Sequence, residues 1–518
     1  MNMIAMPLVA AVVTAIICLL VRRSPTTQRR VSILGGIVQL AVCIDLLVAS
    51  MSGIQVLHVG NWTAPVGIAL VVDPLSAALI TLTALMGVSV LWFARHEVDD
   101  VDKRQGFHPL VHMLIFGVYG AFMTSDFFNL YVWFEVLLIA SFALLVLGGG
   151  AKQTEAAVKY MALNLIGSMF FLFSLGLIYG AAGTLNMADL AVVIAQARED
   201  GSAGIYDVAS MLLVIAFGLK AGIFPLYFWL PASYHTPSVA VSALFAGLLT
   251  KVGLYSLTRT FTLVIPPGTG YAHDLLLVLG ILTMILGVFG AAAQSEIRRI
   301  LAVHIISQIG YLVVAVALAT PLALAALVFY LIHIIIVKAN LFLAGGLAAR
   351  LGGGEYLYKM GGIARVSPML AALFLISALS LAGLPPFSGF VAKLGVVMAA
   401  VEAQAYITVA AALGVGLLTL FSMLKIWYEG FWKDAPEGWE PHPPTPDFIT
   451  HWGWRLAPII LVTVIILGLS VFAGPIFSYC ELAAHQMLDQ AGYIEAVLGP
   501  ERAAEYSALN AAAQGGQP

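Results

Sequence analysis

Residues 218–255 read GLKAGIFPLYFWLPASYHTPSVAVSALFAGLLTKVGLY, with Lys220 and Lys251 in apolar surroundings on either side of Pro225 and Pro231. A proline inside a helix removes a hydrogen bond and clashes with the preceding turn. At membrane depth such irregular backbone is tolerated only where it is buried in protein or lines a wet cavity. The composition around the stretch puts it at that depth. The chain has 518 residues, 61% of them apolar and only 10% charged, with a mean hydropathy of +0.98, whereas soluble domains carry about 25% charged residues. The chain is a membrane protein.

Outward from this stretch, long apolar runs bounded by charge, Gly or Pro predict an all-α integral membrane protein of about 14 transmembrane helices. In order they cover about 3–21, 31–51, 74–93, 108–124, 129–147, 157–182, 208–230, 238–263, 273–293, 299–319, 322–349, 367–399, 404–427 and 455–478, and they are numbered helix 1 to helix 14 below. The stretch 52–72 reads as a short outer loop or hairpin, and 187–198 as an amphipathic surface helix too short to span. The first run, Met3–Val21, has no basic region before it and no small-residue cleavage site after it, so it is expected to be a retained span.

Of the 24 Lys and Arg, 17 fall in loops on one side and only Arg198, Arg259 and Arg502 on the other. Basic loops stay in the cytoplasm, which predicts an N-terminus outside. The net charge of −3 offers no basic face for nucleic acid. Cys18, Cys43 and Cys480 lack any C-x-x-C spacing, and there is no phosphate loop or dinucleotide fingerprint. His108 and His112 have the i, i+4 spacing of a metal or haem pair, but one pair at a helix start does not make a site. No cofactor, metal or catalytic residue is expected.

Four lysines fall on neither side: Lys220, Lys251, Lys338 and Lys393 each lie well inside a span, and among the acids only Glu135, in YVWFEVLLIA, is comparably central. At about 2.5–3.5 kcal/mol per central charge, five such groups cost roughly 12–18 kcal/mol, too much for a purely structural role. Some of these lysines could instead extend along their stems to the interface, but not all four. Out of water an amine gives up its proton more readily, and a nearby carboxylate reverses that. One Glu and four Lys therefore form a chain of proton stations, with His333, five residues before Lys338, as a relay and His304 as a weaker candidate.

Helix 7 is broken at Pro225, next to Lys220, and helix 12 at Pro385 and Pro386 in GLPPFSGF, next to Lys393. With five spans in helices 4–8 and five in helices 9–13, the two breaks take the same place in each set. Helix 4 runs outward and helix 9 inward, so the sets are inverted repeats of the kind used by many secondary transporters. The expected divisions are 1–106 (helices 1–3), 107–263 (first repeat), 264–430 (second repeat) and 431–518 (helix 14 and a short tail).

These residues carry a resemblance. The opening stretch, SEIRRILAVHIISQIGY, FYLIHIIIVKANLFLAGG and LAGLPPFSGFVAKL resemble the antiporter-like subunits shared by respiratory complex I, membrane-bound hydrogenases and Mrp-type Na+/H+ antiporters, over nearly the whole membrane region. Within that superfamily, SDFFNLYVWFEVLLIASFALLVLGG, AVHIISQIGY and LFAGLLTKVGLYSLTRTFTL are similar to the D subunits of Mrp (Mnh, Pha) complexes. The resemblance implies a Glu135–Lys220 pair, a hydrated midplane path continued by Lys251, His333 and Lys338, and a second half-channel at Lys393. Some members carry a carboxylate on helix 12 where this chain has Lys393. After helix 14 only about 40 residues remain, with no long lateral helix or further span expected, unlike the larger subunit of complex I or the Mrp A subunit.

The implied function is a proton-translocating subunit of a multisubunit monovalent cation (Na+)/H+ antiporter in the bacterial plasma membrane. Its partners would be the A, B, C, E, F and G subunits of Mrp, protons, Na+ and membrane lipid. It is expected to belong to a secondary transporter and not to be an enzyme. The competing reading is the proton-pumping arm of complex I or a membrane-bound hydrogenase, driven by redox chemistry in partner subunits. A passive structural subunit would survive loss of its lysines.

Overall fold

The computed structural model describes residues 3–98, 100–267, 271–436 and 452–515. Parts of the expected divisions 1–106, 264–430 and 431–518 therefore lie outside the described residues. Among the described residues, twelve helices are long and apolar enough to cross a membrane. The shorter Phe107–Met123 and a helix 12 in two halves, Pro368–Ala382 and Ser388–Glu402, complete the fourteen. The multi-pass membrane fold is as expected.

Local chemistry explains the helix ends. Asp73 caps helix 3 (Pro74–Phe93) by accepting from the Ser76 amide at 2.8 Å. Helix 7 (Gly204–Ala221) stops at Gly222 and the first half of helix 12 at Gly383, both with left-handed φ, +81° and +86°. Glycine alone takes that conformation without steric cost, and the prolines that follow prevent the helices from resuming at once. The stops lie 161 residues apart, Gly222 to Gly383, and Pro225 and Pro386 share that spacing.

A second register recurs at a spacing of 170. Asp126 pairs with Asn186 in an isolated antiparallel bridge, and Glu296 with Tyr356 in another. The flanking bonds repeat as well: Phe127 N to Leu185 O and Ile297 N to Glu355 O, both 2.9 Å. Helix 5 (Phe127–Val146) and helix 10 (Ile297–Leu318) both start at these bridges. Five of the candidate spans, helices 5 to 9, separate the two bridges along the chain.

The stretch 52–72 forms a hairpin, β1 (Gln55–His58) against β2 (Ala69–Val72), with Gln55 opposite Val72. Among the described residues no further candidate span follows helix 14, and the tail has helices of its own. Helix 14 ends at Val471, and the chain folds into three further helices, Ala473–Leu488, Gln490–Leu498 and Pro500–Gly515. Their Ala-rich, weakly apolar sequence hides them from a search for spans, yet polar anchors hold them. Tyr479 donates to Pro74 O at 2.6 Å, Gln490 to Thr262 O at 2.8 Å and Arg502 to Asp189 at 2.5 Å. The last two helices cover the helix Met187–Glu199, whose apolar face is therefore buried.

Candidate functional site

Lys220 occupies the last turn of helix 7, where the unpaired carbonyls at the end of the helix favour positive charge. Its ammonium donates to Ser168 Oγ on helix 6 (Ala151–Ala182) at 3.1 Å and lies 4.6 Å from the centre of the Phe134 ring. The residue is 5% exposed. Beside it is a cavity of about 20 Å³ lined by Tyr160, Asn164, Trp229 and Leu249. Trp229 Nε1 ties the short helix after the break back to Leu219 O at 2.8 Å.

Glu135 does not bond directly to Lys220. Among the described residues no ion pair joins them; the half-buried carboxylate leaves Oε1 without a hydrogen-bond partner and acts on Lys220 through space. The expected contact is thus replaced by Ser168, a residue that sequence reasoning passes over although it is a polar group in mid-span.

Helix 8 (Val239–Arg259) crosses helix 7 at Lys220. A Cβ on Gly253 would stand 2.5 Å from Ala221 N and 2.8 Å from the Lys220 carbonyl carbon, so only glycine permits the approach. Just before it on helix 8, Lys251 is 1% exposed and donates to Ala246 O. Gly253→Ala should force the helices apart at a cost of about 1–3 kcal/mol. Thermal unfolding of the purified protein should show a lowered midpoint, whereas Gly414→Ala, with nothing within 4 Å of the added atom, should leave it unchanged.

Lys338, on helix 11 (Pro321–Leu351), is fully buried, donates to Leu301 O at 3.1 Å and lies within electrostatic reach of both Lys251 and Lys393. Lys393 follows the break in helix 12. Its ammonium donates at 2.9 Å to Ala382 O, the last residue of the first half-helix, and lies 5.3 Å from the Tyr311 ring. The first half of helix 12 therefore presents its carbonyl end to Lys393.

His333 shares a hydrogen bond with Ser388 Oγ at 3.0 Å, where the second half-helix starts. Nearby, His304, Ser307, Gln308 and Tyr330 form a chain: Tyr330 donates to Gln308 at 2.6 Å, Gln308 to Ser307 at 2.9 Å, and Ser307 Oγ lies 3.3 Å from His304 Nδ1. The Tyr330 and His333 rings are 5.9 Å apart. His304 is thus better integrated than its sequence context suggests. The tyrosines and serines that connect these groups carry no signal in one sequence.

His108 and His112 lie elsewhere, between helices 2 and 4. Ser32 Oγ is 2.9 Å from His108 Nδ1 and from His112 Nε2, and Gln39 holds His112 Nδ1 at 3.1 Å. With both its nitrogens engaged, His112 belongs to a packed hydrogen-bonded network. Among the described residues no group of three or more His, Cys, Asp or Glu could hold a metal ion.

A helical membrane bundle with lysines buried along two broken helices defines a polytopic subunit of the ion-translocating class. Residues 124–419 match the family described as NADH:quinone oxidoreductase/Mrp antiporter, TM, and the chain belongs to that family. It is 43% identical over 498 residues to the D subunit of the Na(+)/H(+) antiporter of Alkalihalophilus pseudofirmus, covering 96% of this chain and 99% of the relative. Its identity to the D subunit of the Na(+)/H(+) antiporter of Bacillus subtilis is 38% over 501 residues, covering 96% and 99%. A chain in the structure of the Mrp complex from Dietzia sp. DQ12-45-1b superposes with a TM-score of 0.84 at 34% identity, over 96% of this chain and 98% of that one. A chain of the membrane-bound sulfane sulfur reductase, an archaeal respiratory membrane complex, superposes at 0.86 with 24% identity, over 96% and 99%, and shares the fold.

Proposed function

We propose that the chain is a proton-translocating subunit of a multisubunit monovalent cation (Na+)/H+ antiporter in a bacterial plasma membrane, with its N-terminus outside. The observation that carries this is the burial of four amines, Lys220, Lys251, Lys338 and Lys393, in a chain similar over nearly its full length to D subunits of Na(+)/H(+) antiporters. Residues 107–263 and 264–430 act as the two half-units.

Protons move along the membrane between Glu135, Lys220, Lys251, Lys338, His333 and Lys393 through intervening water. Two features support the path. Thr250 Oγ1, His304 Nε2 and His333 Nε2 are buried without a protein partner, as groups that take up water are. Lys338 is also within electrostatic reach of the lysines on both sides, Lys251 and Lys393. Positive charge can then advance in steps. Glu135 is the one comparably central carboxylate in the sequence, too few for an oxygen-rich cage of side chains, which favours a Na+ route elsewhere in the complex with the other Mrp subunits.

The test is Na+-dependent collapse of a preformed proton gradient in vesicles carrying the complete complex. Glu135→Gln keeps the shape and removes the charge that acts on Lys220, and should reduce exchange at least about tenfold with normal assembly. Full exchange in this variant would refute the path. Proton pumping driven by NADH or a quinol, with no cation-dependent exchange, would assign the chain to a redox complex.

A further inference from the structure

Beyond Gly222 and Gly383 the two breaks share their internal bonds. Ile223 N donates to Gly218 O at 3.0 Å and Leu384 N to Leu379 O at 3.3 Å, while Leu226 N donates to Ile223 O at 2.7 Å and Phe387 N to Leu384 O at 3.0 Å. Every residue of the second set lies 161 positions after its counterpart. Each break also sends one backbone N–H to a hydroxyl on another helix. Phe224 N donates to Thr283 Oγ1 at 2.9 Å, on helix 9 (Ala272–Ala292). The counterpart of Phe224 is Pro385, which has no N–H to give. There the bond is made from Ser388 N to Ser470 Oγ on helix 14, also at 2.9 Å.

The two acceptors are built alike. Thr283 donates its own hydrogen to Leu279 O at 2.5 Å and Ser470 to Ile466 O at 3.0 Å, each the carbonyl four residues earlier on its helix. That back-bond leaves the oxygen lone pairs to the break. Helix 9 and helix 14 each come two helices after the one whose break they hold. Both anchors are themselves fixed. A Cβ on Gly280 would stand 3.0 Å from Val314 N and one on Gly287 2.5 Å from Ser307 N, so helix 9 lies directly on the backbone of helix 10 on either side of Thr283. On helix 14, Thr463 Oγ1 accepts from Asn340 Nδ2 at 2.8 Å, and the same amide donates to Ser377 Oγ in the first half of helix 12 at 2.9 Å. Helix 14 thus grips both halves of helix 12.

We propose that Thr283 and Ser470 are positioning residues, hydroxyl latches that hold the breaks of helices 7 and 12 in the geometry at which Lys220 and Lys393 exchange protons. The inference rests on the reading of those lysines as proton stations. A backbone N–H in a break at membrane depth has no helical partner, so the acceptor it finds decides where the chain lies after the stop. In helix 7 that acceptor sets the turn between Lys220, just before Gly222, and Trp229, whose Nε1 returns to Leu219 O. In helix 12 it sets Ser388, whose hydroxyl meets His333 and which opens the half-helix carrying Lys393. Without its latch each segment can shift, and a displacement of about 1 Å at a transfer site costs up to about a hundredfold in rate.

Exchange by the complete complex in vesicles tests this, with rates taken per assembled complex. Thr283→Val keeps the shape and removes the acceptor. It should lower the maximal rate at least about tenfold and leave the Na+ concentration for half-maximal rate unchanged. Thr283→Ser keeps the acceptor and should restore most of the rate. Ser470→Ala and Ser470→Thr should behave as a second pair of the same kind. Thr419→Val, on helix 13 (Tyr406–Ile426), removes a buried hydroxyl that bonds to Val415 O in its own helix at 2.7 Å, and should leave exchange unchanged. Normal exchange in Thr283→Val and Ser470→Ala while Lys220→Ala is inactive overturns the latches and leaves the proposed function standing. A loss in Thr283→Ser or Thr419→Val as large as in Thr283→Val overturns them too, because the effect is then one of packing. Normal exchange in Lys220→Ala overturns both.

Discussion

Lys220→Ala should lower cation-dependent proton exchange at least about a hundredfold in a complex that still assembles. The substitution removes the one amine held between Ser168 Oγ and the Phe134 ring and leaves a methyl group on an intact helix end. Truncation enlarges the small cavity beside the ammonium, so the stability of the complex is measured alongside exchange. Lys220→Arg separates charge from proton transfer. The guanidinium keeps the positive charge but does not release a proton. If Lys220 serves only as a fixed counter-charge for Glu135, Arg restores exchange; if it gives and takes protons, Arg is as inactive as Ala. We expect the second result. Exchange is read as Na+-induced recovery of a pH-sensitive dye in vesicles, with assembly checked by native electrophoresis. Substantial exchange in Lys220→Ala would remove the lysine from the path.

The features legible in the sequence are those written in composition and local pattern. Helix 7 is a span because an apolar run of the right length surrounds Lys220, and it is broken because Gly222 and Pro225 follow. The same logic finds helix 12 at Gly383 and Pro386. Patterning places a residue on a helix but does not orient that helix against its neighbours. Glu135 is therefore expected on Lys220 directly, whereas the orientation of helices 5, 6 and 7 gives the lysine to Ser168. The final three helices escape because Ala-rich amphipathic segments have no distinctive hydropathy. The register of 170 residues between the two bridges is carried by backbone bonds, with Asp126 and Asn186 answered by Glu296 and Tyr356, so side-chain identity barely records it.

The same limit hides a buried ion pair. Asp73 reads as a helix start and Arg259 as a basic residue on the outer side, yet the two meet across 186 positions of sequence. Arg259 is 3% exposed and Asp73 2%. The guanidinium also binds the Tyr255 hydroxyl at 3.1 Å and lies 5.3 Å from the Tyr255 ring and 5.5 Å from the Tyr493 ring. One cation thus joins the cap of helix 3, the end of helix 8 and the segment Gln490–Leu498.

Arg259→Leu leaves the Asp73 carboxylate buried and unpaired, and the expected loss is about 3–5 kcal/mol. The last helices should loosen with it, because Tyr493 loses the cation it packs against, although Gln490 still ties its helix to Thr262. Asp73→Asn combined with Arg259→Met removes both charges. It should recover most of the stability, since replacing a buried pair by neutral groups costs far less than breaking it. Asn also keeps the cap on helix 3, because its side-chain oxygen can still accept from Ser76. The thermal midpoints of the single and double variants, with limited proteolysis of residues 473–515, decide the point. A double variant no more stable than Arg259→Leu would mean that the guanidinium acts through the tyrosine rings and not through its charge on Asp73.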